Sequence, residues 1–108
     1  MKKSLEQKQR YLDFDSLFGI ELAKMREENG LSQEAVAEVF GVARSVISKI
    51  EHGSRKLEAR EIGDYADAMQ VDYYVICGVF QRIRAEYDAE AARRRLLEEE
   101  ERLSNEGA

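Results

Sequence analysis

The chain of 108 residues has no proline, one cysteine and one histidine. Because Cys77 is the only cysteine, no intramolecular disulfide can form, which fits a reducing cytoplasm. With His52 as the only histidine, the sequence has too few of the usual ligands for a structural zinc site. We therefore expect a cytoplasmic protein with no bound metal and no cofactor.

The sequence also lacks long apolar runs and the motifs of common enzymes. No stretch approaches the roughly 18 apolar residues of a membrane span, and no apolar segment follows Lys2 and Lys3 as in a signal peptide. There is no phosphate-binding glycine loop, no cluster of metal ligands and no Ser, His and Asp set for nucleophilic catalysis. The prediction is a protein that is not an enzyme and does not enter a membrane.

Positive charge is outweighed overall but concentrated in one segment. The net charge is −5, which by itself argues against a nucleic-acid partner. Residues 42–60, however, contain five basic and two acidic residues, a local charge of +3 that leaves −8 for the rest of the chain. This distribution allows one basic surface for DNA on an acidic protein.

The absence of proline, together with abundant Ala, Glu, Arg and Leu, predicts an all-α chain. Apolar residues recur at helical spacing and glycines mark helix ends, which gives helices over about 16–29, 32–40, 44–52, 58–69 and 73–103. The chain divides into a partly disordered N-terminal extension (1–15), a DNA-binding domain (16–77) and a C-terminal amphipathic, then charged, helix (78–108).

Residues 33–52 predict a helix-turn-helix, because two short helices are joined by a few residues that include Gly41. Ala37 is small enough to let the two helices cross closely. The outward positions of the second helix are all polar: Arg44, Ser45, Ser48 and Lys49. Arg and Lys donate to guanine O6 and N7, and Ser can bond to either kind of base edge, so these four are candidate base-reading residues.

The segment from Phe18 to Ile76 resembles the phage lambda repressor/Cro-like (XRE-type) helix-turn-helix domain, on the run LAKMREENGLSQEAVAEVFGVARSVISKIEHGSRKLE. The resemblance covers somewhat over half of the chain. It implies a five-helix lambda-repressor-like DNA-binding domain from a bacterial or phage protein. The sequence departs from the family at Ala43, where Ser or Thr usually caps the third helix, and at Leu57, which replaces a proline.

The resemblance also implies roles for individual residues. Arg44, Ser45 and Lys49 lie where such proteins contact bases, with Ser48 close by. The residues implied to contact phosphates are Gln33, Arg26, Ser54, Arg55 and Lys56. Gln33 is further expected to brace the first base-reading residue.

The C-terminal helix lies outside the resemblance and carries a seam of its own. Ile76, Phe80, Ile83 and Tyr87 are spaced by four, three and four residues, as in helices that dock or self-associate. We expect Val75 and Ile76 to face the core. Phe80, Ile83 and Tyr87 are expected to contact a partner subunit.

Two functions agree with these features. The first is a sequence-specific regulator that represses a promoter by binding a palindromic operator as a homodimer, with half-sites about 34 Å apart. The second is an antitoxin or adaptor that binds a protein partner through its C-terminal helix and autoregulates through the helix-turn-helix. The long charged tail after Tyr87 favours the second function. Double-stranded DNA is the expected partner in both.

Overall fold

A computed structural model describes residues 4–107 of the chain. In this range it contains five α-helices, one short 3-10 helix and no β-strand. The helices are α1 (Leu5–Glu28), α2 (Gln33–Phe40), α3 (Arg44–Glu51), α4 (Ile62–Met69) and α5 (Tyr73–Glu106), with the 3-10 helix (Ala59–Glu61) before α4. The predicted class, an all-α five-helix domain with an extended C-terminal helix, is confirmed.

The turn between α2 and α3 is defined by the residues at the ends of both helices. α2 begins after Ser32, whose hydroxyl accepts a hydrogen bond from the backbone N–H of Ala35 at 3.0 Å. It ends at Gly41, whose φ of 83° lies in the left-handed region that residues with a Cβ adopt only at a cost. Ala43 gives α3 no side-chain cap, so packing rather than capping must hold the start of α3.

One core receives side chains from all five helices. Its largest fully buried side chains are Leu22, Val36, Ile47, Tyr65, Met69 and Ile76. Burying one large aliphatic side chain contributes roughly 1.5–3 kcal/mol. This shared burial stabilises α2 and α3, which have eight residues each and are too short to be stable alone.

Gly19 lies where α1 crosses the C-terminal end of α3. A Cβ added at this position would lie 2.7 Å from the carbonyl carbon of Glu51 and 2.7 Å from the carbonyl oxygen of Ile50. Since real Cβ atoms do not approach backbone so closely, only glycine allows the two helices to pack at this distance. Gly19 therefore helps to place α3 on the body of the domain.

α1 is longer than predicted. It begins at Leu5, whereas the sequence pattern places its start near Ser16, so that boundary is wrong. The early turns of α1 carry few apolar side chains, and one of them, Phe14, packs against a segment far away in the chain, whereas Leu5 and Tyr11 are exposed. Residues 1–3, which belong to the extension expected to be partly disordered, lie outside the described residues.

These early turns of α1 pack antiparallel to α5. The rings of Phe14 and Phe80 meet edge to face with centroids 4.8 Å apart. Further along α5, the Tyr87 hydroxyl donates to the Asp13 carboxylate at 3.1 Å. Positions later in α5 thus contact positions earlier in α1.

α5 continues beyond this contact. From residue 92 to residue 107 every side chain is exposed, so the last turns of α5 project past α1 as a single helix. We call residues 92–106 the distal part of α5. No helix in the described range 4–107 is both long and apolar enough to cross a membrane.

Candidate nucleic-acid interface

α3 has one side in the core and one side in solvent. Ile47 and Ile50 are buried, while Arg44, Ser45 and Lys49 are exposed. This division follows from helical periodicity, because residues three apart in the sequence face the same side of a helix. The structure thus places three of the four predicted base-reading residues on one open surface.

Ser48, the fourth of them, is half-buried. Its hydroxyl lies 3.5 Å from Nδ1 of His52, and that ring nitrogen donates to the Ser48 carbonyl oxygen at 2.7 Å. A carbonyl oxygen can only accept, so the bond requires the proton on Nδ1. His52 therefore bonds to the Ser48 carbonyl oxygen through its ring as well as through its backbone N–H, and Ser48 is less open to a ligand than its neighbours.

Arg44 is held in place by Gln33, the first residue of α2. The Gln33 amide oxygen accepts from Nη1 of Arg44 at 3.1 Å, and its amide nitrogen donates to Oε1 of Glu51 at 2.9 Å. Because the amide group bonds on both sides, it orients the Arg44 guanidinium while leaving that side chain exposed. Gln33 thus lies where the family resemblance predicts, beside Arg44, the first of the predicted base-reading residues.

Arg26 does not lie on this surface, and its predicted phosphate contact is wrong. Its side chain is buried and donates to Glu51 through Nε at 2.7 Å and Nη2 at 3.1 Å. Nη1 donates to the carbonyl oxygen of Leu31 at 2.8 Å. The hydrogen bond to Glu51 raises the pKa of Arg26. The guanidinium therefore forms a buried ion pair beneath α3 instead of reaching solvent.

Glu51 is the functional residue that the sequence reading missed. It is only 7% exposed and connects the Arg26 guanidinium to the Gln33 amide, so it lies between the core and the surface of α3. Its position next to the buried Ile50 is the signal that could have identified it. An acidic residue on the inward side of a helix requires a cationic partner.

The loop after α3 contains the three remaining residues predicted to contact phosphates. The Ser54 hydroxyl donates to the Lys49 carbonyl oxygen at 3.2 Å and so caps α3. Arg55 donates to both carboxylate oxygens of Glu61, at 2.7 and 2.9 Å. Lys56 is exposed and forms no ion pair within the described residues. Of the three, Lys56 is the one with an unengaged donor group.

The Arg55–Glu61 pair fixes the shape of this loop. The Arg55 guanidinium and the backbone N–H of Glu58 both donate to Glu61, and together they lower its pKa from 4.5 to about 2. Glu58 and Glu61 also form the capping box that begins the short 3-10 helix. Arg55 therefore holds Lys56 and its neighbours in place beside α3.

Of the predicted partner-subunit contacts at Phe80, Ile83 and Tyr87, the one at Ile83 is wrong, because its side chain packs within the chain. Ile83 is only 4% exposed, so it is not available to another subunit. Phe80 is 40% exposed and Tyr87 is half-buried, so their contact with a partner subunit stays a prediction. Phe80 lies against the ring of Phe14, and Arg10 lies over the ring of Tyr87 at 5.4 Å. The seam covers the early turns of α1, which the sequence reading left outside the domain. Val75, expected to face the core, is 48% exposed, so that expectation is wrong.

No three His, Cys, Asp or Glu side chains in the described part of the chain are placed to share a metal ion. The exposed groups of the surface around α3 are mostly hydrogen-bond donors. Arg44, Lys49 and Lys56 present cationic groups, and Ser45 presents a hydroxyl. Such donors bind phosphate oxygens and the acceptor edges of bases.

Comparison with known protein families identifies the same region. A family described as helix-turn-helix matches residues 22–76, which is half of the chain. The matched segment contains α2, α3 and α4 and ends within the first turns of α5. No curated protein sequence matches the chain.

Several solved structures have a similar fold. The restriction-modification controller protein C.AhdI from Aeromonas hydrophila is 31% identical, with a TM-score of 0.53 over 59% of this chain and 96% of that chain. A mutant of the restriction-modification controller protein C.Esp1396I is 26% identical, with a TM-score of 0.57 over 64% and 87%. The clp gene regulator ClgR from Corynebacterium glutamicum is 18% identical, with a TM-score of 0.58 over 79% and 87%, a likeness of fold alone.

Proposed function

Because the chain belongs to the lambda repressor/Cro-like (XRE-type) helix-turn-helix family of DNA-binding transcriptional regulators, we propose that it represses a promoter by binding a palindromic operator as a homodimer. The observation that carries the proposal is the exposed side of α3, where Gln33 holds Arg44 in a defined orientation. Two solved relatives are named restriction-modification controller proteins, which supports control of gene expression as its role.

In this proposal α3 enters the major groove and its exposed side reads bases. Arg44, at the first position of α3, donates two hydrogen bonds to O6 and N7 of a guanine. Ser45 bonds to a neighbouring base edge, and Lys49 reaches a guanine one turn further along the helix. Ser48, being half-buried and close to His52, makes a weaker contribution.

Contacts to phosphates set the position of α3 along the groove. Lys56 supplies a free ammonium group beside the end of α3, and Gln33 lies at the start of α2. Ser54 and Arg55 act mainly by shaping the loop that carries Lys56, because their donor groups bond within the chain. Such contacts add affinity but carry no sequence information.

A two-fold dimer would let the protein occupy two half-sites at once. One domain of this size presents a single short helix, so its affinity for one half-site is limited. Linking two domains raises the effective concentration of the second at its half-site and increases affinity without any new contact. A palindromic operator is the DNA counterpart of this symmetry.

The test is a comparison of two arginine variants on an operator selected from random DNA. Arg44→Ala is expected to weaken binding by about 1–3 kcal/mol and to relax preference at one base pair, measured by fluorescence anisotropy. Arg84→Ala is the matched control, because Arg84 lies on the exposed surface of α5, away from α3, with a long contact to Asp88. Equal affinity and preference for the two variants would contradict the role of α3.

The second candidate function is an antitoxin or adaptor that holds a protein partner through α5. The exposed distal part of α5 favours it, since every side chain of this extension is open to a protein partner. A stoichiometric complex with the product of a neighbouring reading frame would support this function. A homodimer that keeps its size in cell extract, measured by light scattering, would contradict it.

A further inference from the structure

α5 carries an apolar stripe that nothing in the described chain covers. Steps of four and three residues connect its members, which are Ala85, Ala89, Ala92, Leu96, Glu99 and Leu103. At about 3.6 residues per turn these positions share one side of α5, roughly opposite the side on which Ile83 packs against α1. Leu96 is 65% exposed and Leu103 is 53% exposed. The two sides of α5 therefore differ, with one buried against α1 and the other uncovered.

The residues that flank this stripe have a self-complementary pattern of charge. Asp88 and Arg95 each precede a stripe position, and Arg93 and Glu100 each follow one. In a parallel two-stranded coiled coil, a residue that precedes a stripe position in one strand lies beside a residue of the other strand that is five positions later and follows a stripe position. Both meetings, Asp88 with Arg93 and Arg95 with Glu100, join opposite charges.

Arg95 and Glu100 are the pair that most favours parallel pairing of two copies. Both are exposed, and neither forms an ion pair within the described residues. Asp88 and Arg93, by contrast, already have partners, because Asp88 bonds to Arg10 and Arg93 bonds to Glu90. Arg95 and Glu100 can therefore form ion pairs with a second strand without breaking a contact within their own chain.

We propose that two copies of this chain pair in parallel along the stripe and form a short coiled coil at the distal part of α5. Leu96 and Leu103 of one copy pack on the same residues of the other, and the small Ala residues before them let the helices approach. Glu99 is the one polar member, and it bonds to Arg102 at the edge of the stripe. An antiparallel pairing centred on Leu96 is less favourable, because it places Arg95 beside Arg95.

The position of the coil leaves α3 free for DNA. Arg26 is in the last turn of α1, and hydrogen bonds through Glu51 and Gln33 connect it to Arg44. Arg44 therefore lies near the C-terminal end of α1. The coil lies beyond the opposite, N-terminal end of α1, and α1 is roughly 36 Å long. A two-fold axis along the coil therefore presents both α3 helices on the side away from the coil. That both α3 helices then contact DNA rests on the proposed function.

Two leucines of α5 provide the test of the interface. Leu96 and Leu97 are adjacent and equally exposed, at 65% and 64%, but only Leu96 belongs to the stripe. Leu96→Asp is expected to raise the dimer dissociation constant at least roughly tenfold in sedimentation velocity, while Leu97→Asp leaves it unchanged. Equal effects of the two variants would overturn the proposal. A wild-type chain that is monomeric at every concentration would also overturn it.

A charge exchange and a cross-link test the register and the direction. Arg95→Glu is expected to weaken the dimer, and adding Glu100→Arg is expected to restore it. In a Cys77→Ser background, Leu103→Cys should form a disulfide-linked dimer with oxidised glutathione, because parallel strands bring the two residues 103 together. No cross-link in a chain that still sediments as a dimer would overturn the parallel arrangement.

The experiments separate this inference from the proposed function. If the coil forms, Arg44→Ala should remain dimeric while losing its base preference. Leu96→Asp should keep the base preference of Arg44 on a single half-site while losing tight binding to the palindrome. If Leu96→Asp binds the palindrome as tightly as the wild-type chain does, the coil is not the interface that serves DNA binding.

Discussion

The helix-turn-helix region and the distal part of α5 use the same kinds of charged residues in opposite ways. Beneath α3, Arg26 and Glu51 are 9% and 7% exposed and share two hydrogen bonds. In the distal part of α5, Arg102 bonds to Glu106 at 3.1 Å with both side chains more than half exposed. An exposed pair contributes little to stability, whereas a broken buried pair leaves a costly unpaired charge. Burial therefore decides which ion pair the fold depends on.

The same contrast separates the two proposed binding surfaces. At α3 the surface is defined by fixed geometry, since Gln33 connects the exposed Arg44 to the buried Glu51. In the distal part of α5 the surface is defined by periodicity, because every side chain from residue 92 to residue 106 is exposed. The proposed DNA-binding surface therefore has a fixed geometry without DNA, whereas the proposed coiled coil requires a second helix of matching period.

Replacing one acidic residue in each region gives the largest expected difference. Glu51→Gln leaves Arg26 buried without a counter-charge and is expected to lower the free energy of unfolding by about 3 kcal/mol, measured by urea titration. Glu106→Gln removes an exposed contact to Arg102 and is expected to cost at most about 0.5 kcal/mol. Similar losses for the two variants would contradict the contrast between the regions.

Two glycines within helices provide the next largest contrast. Gly19→Ala places a Cβ against the backbone of Glu51 and is expected to lower the free energy of unfolding by about 2 kcal/mol. Gly63→Ala meets nothing within 4 Å and is expected to stabilise α4 by about 0.5–1 kcal/mol. Thermal unfolding followed by circular dichroism measures both changes. Stabilisation by Gly19→Ala would show that α1 and α3 do not pack as closely as described.

The Arg55–Glu61 pair predicts a smaller effect that depends on pH. The pKa of Glu61 falls from 4.5 to about 2 on folding, so its contribution is complete above pH 4.5 and is lost as the pH falls towards 2. Because the pair is partly exposed, this contribution is expected to be about 1 kcal/mol. The stability difference between the wild-type chain and Glu61→Gln should shrink over that range. A difference that is constant from pH 7 to pH 2 would contradict the pairing.

The sequence alone predicted the helix-turn-helix closely, because its determinants are local. Ser32 and Gly41 mark the ends of α2, and the spacing of Ile47 and Ile50 defines the buried side of α3. The structure follows these expectations, and the predicted family is confirmed. The base-reading roles of Arg44, Ser45 and Lys49 stay predictions, although their exposed positions agree with them.

Apart from the start of α1, the wrong predictions concern contacts between distant residues. Arg26 was assigned to phosphate because a basic residue is normally exposed, and its partner Glu51 lies 25 residues away in the chain. Ile83 was assigned to a second subunit because periodicity shows that a helix side is apolar but not what covers it. Its cover, the early part of α1, has too few apolar residues to be recognised locally.

The central claim is that the exposed side of α3 is the surface that meets DNA. Backbone amide chemical shifts, recorded while a duplex carrying the selected operator is titrated into the protein, test it residue by residue. The largest changes are expected at Gln33, Arg44, Ser45, Lys49 and Lys56, with little change at residues 98–106. The largest changes in the distal part of α5, or changes spread evenly over the chain, would contradict the claim.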